Sequence, residues 1–194
     1  MDLFASRGFK GTTTRAIASA AGVSEAIIFR HFRTKEDLYD AIITTSIERR
    51  NEVWEREAPE IAATDDLESL MRGYATVFLR RHREDQTFVR LMLYSGLQDH
   101  KFRQRFFETS RNPYMKKIRE QIRMGVESGE YTDLDPSHTM SAFFHSLLQY
   151  SVSRYVASAD PPLPEADEAY VENLVRIYTT SLTSPAKRDG ALSL

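Results

Sequence analysis

Thr13-Thr14-Arg15-Ala16-Ile17-Ala18-Ser19-Ala20-Ala21-Gly22-Val23-Ser24-Glu25-Ala26-Ile27-Ile28-Phe29-Arg30-His31-Phe32 decides how the rest of the chain is read. Two short helical runs flank Gly22, the residue type that takes a left-handed turn without steric cost. Thr13 stands where an N-cap hydroxyl is wanted before the first run, and Ser24 before the second. Small Ala18 and Ala21 let the two runs approach closely. This is the grammar of a helix-turn-helix. Ile28 and Phe32 are four residues apart, on one helical face, and with Ile17 they form the expected core. Stepping about 100° per residue from that face puts Ala26, Ile27 and Arg30 on the opposite side, with Arg33 nearby. Small, apolar and guanidinium groups suit the major groove of DNA: Ala26 and Ile27 against thymine methyls, Arg30 on guanine or on a phosphate. Phe29 and His31 flank that surface. Arg15, Lys35 and the N-terminal amides of both helices are expected to touch phosphates, which positions the protein without specifying sequence.

Charge separates this region from the remainder. Between Arg7 and Lys35 six basic residues face a lone Glu25, a net +5, while the other residues carry −7. A short basic block on an acidic body suits a chain whose one end approaches a polyanion while the rest stays away, with a merely solvated basic surface as the other account of the same charge. The chain has 194 residues and no Cys, which removes disulfides, thiolate metal sites and cysteine nucleophiles and agrees with a reducing compartment. No run approaches the ~18 apolar residues that cross a bilayer, and the first residues lack an export signal. The chain is therefore read as soluble and cytoplasmic, with no membrane partner.

Outward from the motif, periodicity is helical nearly throughout, and the fold class is all-α: an N-terminal three-helix helix-turn-helix domain followed by an antiparallel helical bundle. Short helices are expected at Asp2 to Arg7, closed by Gly8, then Thr14 to Ala21 and Glu25 to Phe32. A long helix follows from Lys35 to about Glu57, opened by Thr34 and Asp37 as a capping box and limited by Pro59. Further helices are expected over Leu67 to Arg83, Thr87 to Leu97, and Lys101 to Ser128 with a break near Asn112 and Pro113. Asp135 and Pro136 read as an N-cap followed by proline at the first helical position, opening a helix to about Ser158. After the rigid run Asp160, Pro161, Pro162, Leu163, Pro164, a last helix spans roughly Glu165 to Leu182. Domain bounds follow as 1–45, 46–183 and a frayed 184–194.

The helix from Ser137 carries Phe143, Leu147 and Tyr150 on one side, Phe144, Leu148 and Tyr155 on another, and His145, Gln149 and Val152 on a third. A helix apolar nearly all round is buried on both sides. The last helix adds a stripe of Val171, Leu174, Val175, Tyr178 and Leu182. Phe144, Leu148, Tyr155, Val171, Leu174, Val175 and Tyr178 are the candidates for a dimer interface, with packing inside one chain as the other account of the same pattern. Tyr74, Phe78, Tyr94, His145 and Gln149 are the candidates for a small-molecule pocket, since such pockets join aromatic walls to a few polar groups. An ordinary core has the same chemistry.

Leu3-Phe4-Ala5, Arg7-Gly8-Phe9, Thr12-Thr13, Ile17-Ala18, Ala21-Gly22-Val23-Ser24, Phe32 and Thr34-Lys35-Glu36-Asp37-Leu38 follow one another in an order and spacing that resembles the DNA-binding domain of the TetR family of transcriptional regulators, over Phe4 to Ile43. The resemblance implies a homodimeric regulator, mostly a repressor, on a palindromic double-stranded DNA operator, released by a small-molecule effector. It carries DNA contacts onto Thr13, Thr14, Arg15, Glu25, Ala26, Ile27, Phe29, Arg30, His31 and Lys35. It also implies that the effector displaces the Lys35 to Glu57 helix and so changes the separation of two recognition helices, which must lie about 34 Å apart on one duplex face. Ile27 and Phe29 stand where such proteins commonly have Thr and Tyr, so apolar contact and Arg30 carry more of the base reading. Glu25, unusual so near phosphate, is expected either to accept from a cytosine amino group or to face solvent. The first helix begins at Met1, short of the family's pattern, which is expected to weaken DNA binding unless the chain starts upstream.

Two other classes compete. A ligand-binding dimer that has lost DNA binding would follow from the short first helix. A helical-bundle enzyme would need chemistry the residues lack: none of His31, His82, His100, His138 or His145 has Glu three residues before it, so the di-iron Glu-x-x-His pair is missing. There is also no H-E-x-x-H, no Gly-rich phosphate loop and no G-x-S-x-G elbow. No catalytic residue, metal or cofactor is expected.

Overall fold

In the computed structural model, residues 1–57, 63–98, 113–158 and 163–183 are described. The helices among them are α1 (Asp2–Gly11), α2 (Thr14–Ala21), α3 (Glu25–His31), α4 (Lys35–Glu57), α5 (Leu67–Glu84), α6 (Thr87–Gln98), α7 (Pro113–Glu127), α8 (Pro136–Ser151) and α9 (Pro164–Leu182). No strand occurs among the described residues, only an isolated bridge between Tyr131 and Thr183. The fold is all-α, with an N-terminal helix-turn-helix and a helical body. The expected stop at Pro59, the segment from Lys101 to Asn112, residues 159–162 of the proline-rich connector and the tail 184–194 lie outside the described residues.

The chain divides into two compact units, Met1–Trp54 with Asp85–Arg111, and Glu55–Glu84 with Asn112–Leu194. The first unit is therefore wider than residues 1–45, because it takes in the continuation of α4 and α6, which packs on α1. Tyr94 on α6 donates its hydroxyl to the Ser6 carbonyl at 3.2 Å, and Arg50 of α4 lies over the Phe88 ring.

Local chemistry accounts for the N-terminal elements. Gly8 interrupts α1 with φ 68 and ψ 178, a backbone region essentially confined to glycine. The chain continues helically to Gly11, further than Arg7, and the buried Thr12 hydroxyl donates to the freed Gly8 carbonyl at 2.8 Å. Thr13 caps α2 by accepting from the Ala16 amide, and Gly22 closes it at φ 68, ψ 26. Ser24 occupies the N-cap of α3 with extended backbone, but without the expected side-chain hydrogen bond. The Thr34–Asp37 capping box forms reciprocally: each side-chain oxygen accepts from the other residue's amide at 3.0 Å. Ala18, Ile28 and Leu38 form the core of this motif, with Ile17, Phe32 and Ile42 packed against it.

In the second unit α5 is the central element, packed by α7, α8 and α9. Leu67, Leu70, Met71, Tyr74, Ala75, Val77, Phe78, Leu79 and His82 are all buried, so α5 is the helix covered on most of its circumference. α8 differs from the expectation here. It buries Met140, Phe143, Phe144, Leu147 and Ser151 and leaves Ala142, His145 and Gln149 exposed. Asp135 caps it through the His138 amide at 2.6 Å, and a π-helical turn, Val152–Val156, continues it and turns Tyr155 inward.

Candidate nucleic-acid interface

α3 is anchored by one buried residue, Ile28, and the rest of its surface follows from helical phase. Ala26, Ile27, Phe29, Arg30 and His31 are all exposed, Ile27 to 40% and Phe29 to 47%. Two large apolar side chains left in water next to Arg30 form a surface that is costly to hydrate unless something covers it. Arg7, Lys10, Arg15, Arg30 and Arg33, in the same stretch of chain, are exposed as well. Phe29 does not pack internally.

Four of the expected contact residues have partners within the chain. The Thr13 oxygen is engaged as the cap of α2. Thr14 and Glu25, at the first turns of α2 and α3, meet each other: the Thr14 hydroxyl donates to Glu25 Oε1 at 2.7 Å. Glu25 is half-buried by this pairing and does not simply face solvent. Lys35 folds back on α1, donating to the Phe9 carbonyl with its ammonium 4.1 Å from the Phe9 ring centroid. Nothing in the sequence spacing signals either tie, since each depends on how two helices cross.

Of the five candidate pocket residues, two come together in the body. Tyr74 and Phe78 are buried in an aromatic layer with Phe143 and Phe144. Tyr94 belongs to the other compact unit. His145 and Gln149 are exposed on α8, bonded within their own helix to Ser141 and Ser153. Phe144, Tyr155, Val171, Leu174 and Val175 are buried inside one chain, because α9 lies along α5 and turns this stripe inward. Tyr178 meets the Phe143 ring edge-on, and Leu148 is half-buried. Exposed residues of the same two helices include Ala142, His145 and Gln149 on α8 and Ala169, Asn173 and Ile177 on α9, with Ile177 exposed to 59%.

No described helix is long and apolar enough to cross a membrane. Residues 1–42 match the sequence profile of the bacterial regulatory proteins of the tetR family. The HTH-type transcriptional regulator YvkB of Bacillus subtilis is 39% identical over 56 residues, 29% of this chain and 30% of that protein. The HTH-type transcriptional repressor AcnR of Corynebacterium diphtheriae is 27% identical over 174 residues, 89% of this chain and 85% of that protein. Among solved structures, FadR of Bacillus subtilis has the same fold, with a TM-score of 0.71 at 18% identity, covering 90% of this chain and 92% of that one. The profile match over the first residues, a repressor similar along most of the chain's length and the shared fold together support a TetR-family regulator.

Proposed function

We propose that the chain is a cytoplasmic repressor that holds palindromic operator DNA as a homodimer and lets it go when a small, largely apolar molecule enters its body. Residues 1–45 read the DNA, and 46–183 dimerise and sense. The observation that carries this is the outer face of α3, where Ala26, Ile27 and Arg30 are exposed away from the buried Ile28, in a basic segment of a net-acidic chain. Dimerisation uses the exposed face of α8 and α9 around Ile177, which leaves the buried stripe to the core. The effector is received by the aromatic layer of Tyr74, Phe78, Phe143 and Phe144. FadR, alike in fold, is known in complex with stearoyl-CoA.

The test is binding to a duplex recovered from a randomised pool, measured by fluorescence anisotropy across salt. Affinity is expected to fall steeply with salt, with a slope of about −0.9 for each phosphate neutralised. Arg30→Ala is expected to cost about 1–3 kcal/mol and to relax preference at one base pair. Equal weakening on every duplex makes Arg30 a phosphate clamp instead, and salt-insensitive or absent binding sinks the proposal. Ile177→Glu puts a charge into the dimer face and is expected to give monomers by sedimentation, with loss of most specific DNA binding but intact helicity. A variant that stays dimeric places the interface elsewhere.

A further inference from the structure

Glu25 is the one acidic residue between Arg7 and Lys35, and it stands in the first turn of the recognition helix. By helical phase it lies roughly 60° from buried Ile28 and roughly 140° from Arg30, on the side that meets α2 and away from the groove-facing side. Its Oε1 accepts the Thr14 hydroxyl at 2.7 Å in a partly buried setting. α3 has seven residues, too few to be stable alone, and Ser24 gives its first turn no side-chain cap. Among the described residues, the Thr14–Glu25 bond is the one side-chain hydrogen bond that α3 makes, and it joins the two N-terminal turns of the motif.

We infer that Glu25 is a positioning residue that reads no base: together with Thr14 it sets the angle of α3 against α2. The inference rests on the DNA-binding function proposed above. Without the bond, α3 is held by its Ile28 anchor and can rock about it, so Ala26, Ile27 and Arg30 lose register with base edges while phosphate contacts survive. The hydroxyl proton that Thr14 gives to Glu25 is likewise not offered to a phosphate. A carboxylate is tolerated in this basic block because it faces α2.

The experiment compares the full chain with Glu25→Gln, Glu25→Ala, Thr14→Val, Thr14→Ser and the double variant Glu25→Ala/Thr14→Val. The probes are a duplex that the wild-type chain selects from a randomised pool and the same duplex shuffled, with folding checked by circular dichroism. Glu25→Ala and Thr14→Val are each expected to lower the ratio of selected to shuffled affinity about three- to tenfold, the worth of one such hydrogen bond. The double variant should lose no more than either single one, since both remove the same contact. Thr14→Ser keeps the hydroxyl and Glu25→Gln keeps an acceptor oxygen, so both should retain the ratio. Glu25→Gln should also tighten both duplexes together, as a negative charge leaves a basic surface. A changed base preference in Glu25→Gln, additive losses in the double variant, or an unchanged ratio in Glu25→Ala and Thr14→Val each overturns the inference alone. A wild-type chain that selects no duplex overturns the DNA-binding function beneath it as well.

Discussion

Replacing Phe78 by alanine is expected to destabilise the protein by about 3–5 kcal/mol, the usual result of deleting a buried aromatic ring that its neighbours cannot collapse onto. Phe78 is 2% exposed, on the helix that the other helices of the body surround. Its ring meets His82 edge-on at 4.1 Å, Phe144 edge-on at 5.7 Å and Tyr74 at 5.9 Å. Each such contact adds to the burial of apolar area, and all of them disappear together. At about 2–4 °C per kcal/mol for a chain of this size, the melting temperature should drop by roughly 10 °C. Thermal unfolding followed by circular dichroism checks this. The same variant separates two roles of the aromatic layer. A layer that only packs loses stability and has no ligand response to lose, whereas a layer that also receives the effector loses, besides stability, the rise in melting temperature that apolar molecules give the wild-type chain.

Asp167→Ala should cost nearly as much, on the order of 3 kcal/mol, because it strands a cation in the body. Asp167 is 5% exposed and binds the Arg83 guanidinium through Oδ2 at 2.5 Å and the Tyr150 hydroxyl through Oδ1 at 3.1 Å. The Arg83 side chain keeps 24% of its exposure, so water relieves part of the penalty and the cost stays at the lower end for a broken buried pair. Asp167→Asn retains an acceptor for Tyr150 but no charge for Arg83, and should fall between wild type and alanine. The pair also leaves an alkaline signature. Burial first, and then the Asp167 charge and hydrogen bond, push the Tyr150 hydroxyl from 10.0 up to about 12. A raised value in the folded state means that the stability tied to the protonated phenol is complete below pH 10 and is lost as pH rises toward 12. Asp167→Asn removes the charge contribution and leaves the burial, so its alkaline loss should be smaller. An equal loss in both would assign the whole shift to burial.

The helix-turn-helix was legible because every part of it is local. A cap needs an oxygen two or three residues before the amide it accepts from, as at Thr13 and Ala16, Thr34 and Asp37, or Asp135 and His138. Gly22 answers a backbone angle, and Ile28 is buried while Arg30 is exposed because one helix cannot turn both inward. Glu25 and Lys35 were not legible in this way. Their partners, Thr14 and the Phe9 carbonyl, are 11 and 26 residues away and come within reach only when separate helices cross. The burial of the α9 stripe within one chain was not legible for a related reason. Val171, Leu174 and Val175 form a true apolar stripe, but a stripe says only that something covers it. α5 in the same chain does, and the stripe is thereby lost to a partner.

By itself, then, the order of residues determined the all-helical class, the bounds of most helices, the recognition helix and the face it turns outward. Each of these depends on chemistry within about four residues of backbone. Which apolar face meets which helix, where α8 leaves His145 and Gln149 in solvent, and how Glu25 is tied down were decided by tertiary packing. Burial is shared between surfaces that the chain brings together from far apart, and one stripe of side chains is equally content against any apolar partner of the right shape.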